Sequence, residues 1–124
     1  MLKESTVIAT IAVKDINSAK KYYGETLGLG LVVDTPFGVM YKSGEGKIFV
    51  YESEFAGTNK ATCAAWEVDD VVSVVADLKS KGISFEHYNL PETKIENDVH
   101  IMGNMKAAWF IDPDGNILSV SSKL

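Results

Sequence analysis

The strongest constraint on this chain is that it says one short phrase twice. Residues 13–18 read VKDINS and residues 68–73 read VDDVVS. Val13 corresponds to Val68, Asp15 to Asp70, Ile16 to Val71 and Ser18 to Ser73, each pair 55 residues apart. Two copies are too few for a solenoid, so the pattern points to duplication of one supersecondary unit.

Each copy follows the same local grammar. A strand comes first, over residues 7–13 and again over 62–68, and a helix follows. Ile16, Ala19, Tyr23 and Leu27 fall on one helical face, as do Val71, Val75 and Leu78 in the second copy. Asp15 or Asn17, and Asp69 or Asp70, suit the N-caps; Gly28 and Gly82 stand where a left-handed C-cap is wanted. Three strands then close each copy: 30–34, 39–42 and 47–52 in the first, 84–88, 106–111 and 117–121 in the second. The last two are joined by Asp112-Pro113-Asp114-Gly115, in which Pro113 pre-sets φ and Gly115 takes the left-handed conformation that closes a hairpin. The fold class is α+β, one domain of two β-α-β-β-β modules, residues 1–53 and 61–124, with 54–60 as linker. The second copy is longer by a loop at 89–105, a length that is usually functional or mobile.

Charge removes several function classes. The net charge is -5 without any cluster of Lys and Arg, which disfavours nucleic acid and anionic membrane as partners. No apolar run approaches the roughly 18 residues of a membrane span, and VIATIAV at 7–13 is too short for a secretory signal. Cys63 is the single cysteine, so no intrachain disulfide forms. A cytoplasmic location is expected.

Two such modules in about 120 residues, the VxD[IV] helix openings, YYGETLGL at 22–29 and AAWFIDPDGNILSV at 107–120 together resemble the vicinal oxygen chelate superfamily. That group includes glyoxalase I, extradiol dioxygenases, fosfomycin-resistance enzymes and bleomycin-binding resistance proteins. The resemblance implies curved mixed sheets around a cleft, and commonly a homodimer. It also implies four strand positions that hold metal ligands in metal-using members. Here those positions carry Ile8, Phe49, Cys63 and Ser119. Ile and Phe have no lone pair, a serine hydroxyl is a weak ligand, and one neutral thiol cannot hold a divalent metal alone. The expectation is therefore no metal and no cofactor, with the vacated positions and Tyr51 lining a ligand pocket.

The remaining polar groups offer weaker signals. His87 and His100 are the only histidines, one at a strand end and one in the long loop. With Asp98 or Glu96 they could build an unrelated metal site, and either, like Tyr51, could serve as an acid or base; their spacing matches no helical or hairpin ligand pattern, so the plain reading is two partly exposed rings. Cys63 reads as a small buried residue or a pocket-lining thiol. Aromatic and methionine side chains (Met40, Tyr41, Phe49, Tyr51, Trp66, Met102, Met105, Trp109) are divided between core and pocket in a way the sequence leaves open.

The expected function is metal-independent binding of a small, partly apolar molecule in the cleft between modules. The alternatives are a lyase, isomerase or dioxygenase-like enzyme with non-standard catalytic residues, and a non-catalytic structural dimer.

Overall fold

Asp15 and Asp70 open the two helices by the same device. Asp15 accepts hydrogen bonds from the Asn17 backbone N–H at 2.9 Å and the Ser18 hydroxyl at 3.1 Å. Asp70 accepts from the Ser73 hydroxyl at 2.7 Å and the Ser73 N–H at 3.1 Å. The repeated Asp-x-x-Ser is thus an N-cap with its own locking hydroxyl, and these bonds hold both carboxyls below the usual carboxylate range. Asn17 and Asp69 are not the caps.

The computed structural model describes residues 1–123. The chain divides into two units: Met1–Cys63 with Pro113–Asn116, and Ala64–Asp112 with the chain from Ile117 on.

In the first unit the sheet order is β1-β4-β3-β2, from β1 (Ala9–Val13), β2 (Gly30–Thr35), β3 (Gly38–Ser43) and β4 (Gly46–Glu52). β1 runs parallel to β4 and the other pairs are antiparallel. Helix α1 (Ile16–Lys20) widens into a π-turn over Lys21–Thr26, where the Leu27 N–H reaches the Tyr22 carbonyl at 2.8 Å. Ile11, Val13, Val39, Tyr41, Ile48 and Val50 share one face by register and are buried, as are Ala19 and Tyr23 of the helix. The helix comes close because Gly24 has no side chain: a β-carbon there would stand 3.4 Å from the Tyr41 hydroxyl. Burial pushes the Tyr41 phenol above its ordinary value.

The first strand starts later than expected. Val7 is exposed and Ile8 precedes β1 by one residue. The Pro113–Asn116 turn is also more than a connector. Gly115 takes φ +94° as expected. Asp114 Oδ2 accepts the Lys14 N–H at 3.0 Å, and Asn116 Nδ2 donates to the Ala12 carbonyl at 2.8 Å, so side chains of the turn hydrogen-bond β1 and the residue after it.

The second unit has the order β5-β10-β9-β8-β7, with β6 also on β9. Its elements are β5 (Thr62–Val68), α2 (Val71–Ser80), β6 (Phe85–Glu86), β7 (Lys94–Glu96), β8 (Val99–Met102), β9 (Met105–Ile111) and β10 (Ile117–Ser122). Val71, Val75 and Leu78 bury the predicted face of α2, and Ala108, Phe110, Leu118 and Val120 are buried on one face of the sheet.

Three expectations change in this unit. The 89–105 stretch is no loop: it contains the hairpin β7–β8, with Glu96 paired to Val99 across Asn97 and Asp98 at φ +50° and +70°. Both central residues are left-handed, which is the two-residue type I′ turn. The expected strand 84–88 shortens to Phe85–Glu86, because β8 occupies the rest of the β9 edge. His100 therefore lies on a strand, fully buried rather than partly exposed. No helix among the described residues is long and apolar enough to cross a membrane.

Candidate functional site

Each sheet has one face without a helix, and the expected site residues distribute over those faces. In the first unit Phe49 pairs with Thr10 and Met40, and Tyr51 with Ala12. Strand alternation sets this row opposite the buried Ile11–Val50–Val39 row. The Phe49 and Tyr51 rings are half-buried and stack nearly parallel, 6.1 Å between centroids and 15° between planes. Gly38 leaves the room, since a β-carbon there would stand 2.5 Å from the Phe49 ring. Ile8 is half-buried just ahead of β1, and Cys63 is half-buried at the start of β5. Tyr41 and Met40, undecided in the sequence, separate: Tyr41 joins the core and Met40 the helix-free face.

The second unit gathers rings. Ser119 pairs with Trp109 and is buried. His100 packs edge-on to Trp109 at 4.8 Å; Tyr88 meets Trp109 at 5.4 Å, and His87 meets His100 at 6.2 Å. Trp66 goes to the other side, stacked on Phe110 at 6.3 Å. The Tyr88 backbone N–H donates to His100 Nε2 at 2.9 Å. Only an unprotonated nitrogen accepts that bond, so the ring is neutral with its proton on Nδ1. Nδ1 is buried without a hydrogen-bond partner, while the Tyr88 and Ala107 backbones favour the charged ring. Burial first, and then the neighbouring His87, push the His100 imidazole below its ordinary value.

His87, His100, Asp98 and Glu96 are not gathered into one ligand set. His87 Nε2 and Asp98 Oδ1 are 2.6 Å apart, but Asp98 Oδ2 is held by the Lys79 ammonium at 2.5 Å, where a dication would need it. Lys79, then His87, hold the Asp98 carboxyl below the usual range. Glu96 pairs with Lys94 instead. Among the described residues no group of three or more His, Cys, Asp or Glu could hold a metal ion.

A further feature invisible in the sequence is a cavity of about 460 Å³ on the first unit, lined by Ile16, Lys20, Phe37 and Glu52 among others, with Lys20 and Asp34 ion-paired at 2.6 Å. Its walls come from the helix start, the β2–β3 turn and the end of β4, which no local spacing connects.

Over residues 6–120 the chain matches the Glyoxalase/Bleomycin resistance protein/Dioxygenase superfamily. The chain belongs to that superfamily. Its fold recurs in a glyoxalase family protein from Enterococcus faecalis, at TM-score 0.75 and 19% identity over 98% of this chain and 100% of that one. It recurs in TnmS3, an antibiotic binding protein from Streptomyces sp. CB03234, at 0.70 and 22% over 96% and 95%. A lactoylglutathione lyase from Agrobacterium tumefaciens matches at 0.70 and 18% over 95% and 93%. Among curated proteins none matches the chain. Membership in the superfamily bears out the α+β reading, with two sheets and two helices. It leaves the chemistry to individual residues, because one scaffold hosts many activities.

Proposed function

We propose that this superfamily member is a metal-independent binding protein for a small, flat, partly apolar molecule. The observation that carries the reading is the Phe49–Tyr51 stack, half-buried on a helix-free sheet face. Phe49 occupies one of the positions that would carry a metal ligand in metal-using relatives, and Ile8 occupies another. The corresponding positions of the second copy, Cys63 and Ser119, supply a thiol and a hydroxyl. The Phe49–Tyr51 face offers buried area and ring stacking to a planar ligand. TnmS3, which shares this fold, binds an antibiotic, which supports a binding role for the scaffold.

Native mass spectrometry of protein purified without added metal tests the proposal, and reads the homodimer implied by the resemblance in the same spectrum. Well under one equivalent of nickel, zinc, iron or manganese per chain is expected. A thermal-shift screen of planar aromatic compounds should yield a binder whose shift is lost in Tyr51→Ala. At a hundred times its Kd that binder should add about 2.7 kcal/mol. Near-stoichiometric metal, removable by chelator with loss of stability, would sink the reading.

A further inference from the structure

The edge of β9 has one place that two residues of this chain could fill. β6 pairs Phe85 with Phe110 and Glu86 with Trp109. Continued by two residues in that antiparallel register, Tyr88 would stand opposite Ala107. Ala107 is instead paired with His100. The Tyr88 N–H, displaced from the ladder, is accepted by the ring of the residue that displaced it.

We propose that the position opposite Ala107 is a two-state slot, held by His100 while its ring is neutral and passed to Tyr88 when the ring is protonated. Protonation turns Nε2 into a donor facing the Tyr88 N–H and leaves the imidazolium buried beside His87, costs that outweigh the support of the Tyr88 and Ala107 backbones for the charged ring. Extension of β6 would give the Tyr88 N–H a backbone partner again. The segment is suited to it: residues 85–90 read Phe-Glu-His-Tyr-Asn-Leu without a proline, and Pro91 stops the strand there. Two pairings of one strand edge are the kind of bistable element that a single histidine can bias.

The charges around His100 decide the sign. From the 87–93 segment it meets His87, which opposes a second positive charge. Ala107 and Trp109 of β9 and Ile95 of β7 carry no charge. Asp98 at the hairpin tip and Lys79 of α2 are paired with each other and with His87. The folded ring holds its proton less tightly than the unfolded one. The observed pairing is thus favoured above about pH 6.5 and loses stability as pH falls from there toward the folded value.

Nitrogen-15 NMR of the intact protein from pH 8 to pH 5 tests this. The Tyr88 amide and the His100 ring nitrogens should shift with one midpoint below about 6.5. A Tyr88–Ala107 backbone contact should appear at the acid end, with the Ile11 and Val50 amides unchanged. In His100→Gln the side-chain oxygen still accepts from Tyr88 but does not titrate, so the Tyr88 shift should flatten. The proposal fails if His100 titrates without moving Tyr88, if the shift persists in His100→Gln, if Tyr88 is freed without meeting Ala107, or if all amides lose protection together. Should His100→Gln not fold, the Tyr88–Ala107 contact in the unaltered chain decides alone: its appearance with the His100 midpoint supports the switch and its absence refutes it.

Discussion

A β-carbon built on Gly57 would overlap the carbonyl oxygen of Asp114. The segment that the sequence presents as a linker is therefore a seat for the turn at 113–116. Gly57 also holds φ +74°, a left-handed conformation. Gly57→Ala combines steric overlap with backbone strain and should cost about 3 kcal/mol or more. Urea denaturation should show a lower midpoint at unchanged slope.

At Gly115 the cost is conformational alone. Its φ is +94°, yet a β-carbon would stand at an ordinary 3.6 Å from Gly57 Cα. Gly115→Val should lower stability by roughly 1 to 3 kcal/mol, and Gly115→Asn by less, since Asn tolerates left-handed backbone. Equal costs in thermal melts would contradict this account.

Asn116 is buried and donates to the Ala12 carbonyl at 2.8 Å. Asn116→Ala should cost about 1 to 3 kcal/mol by leaving that carbonyl unpaired. Asn116→Asp should cost more at neutral pH, because a carboxylate cannot donate and faces the carbonyl with like charge. Calorimetric melting of both variants distinguishes the two losses.

Asp98 gives a pH dependence of known sign. Lys79 and His87 hold its folded-state value below the unfolded one, so its contribution is present above the ordinary carboxylate range and is lost as pH falls through the folded value. Asp98→Asn should flatten the decline of stability as pH falls below about 4. At pH 7 the loss should stay within about 1 kcal/mol, since the Lys79 and Asp98 side chains are 46% and 22% exposed. An acid limb as steep as in the unaltered chain would show that the pair does not matter.

What could be read from the residues was whatever local chemistry decides. Each helix cap could be narrowed to two residues, Asp15 or Asn17 and Asp69 or Asp70, and the serine three residues after Asp15 and Asp70 is what decides between them. The buried face of α2 follows from its period, and the Phe49–Tyr51 row from strand alternation. The split edge of β9 could not be read this way. Ser84–Tyr88 looks like a strand until β8, arriving from residues 99–102, competes for the same partners. The Asn97–Asp98 turn was legible in principle, since both residue types tolerate left-handed backbone, but it lacks the glycine that usually marks such a turn. His100 looked exposed because an imidazole serving as a backbone acceptor is decided by tertiary pairing, not by spacing.

The bond between Lys14 and Asp114 joins residues a hundred positions apart. During synthesis the first sheet emerges from the ribosome long before the turn that completes its unit. Until residue 116 clears the exit tunnel, the Lys14 N–H and the Ala12 carbonyl must be satisfied by water. A chain cut at residue 63 would stay in that unfinished condition, so the two copies of the repeat, though alike in pattern, cannot be separated by cutting once between them.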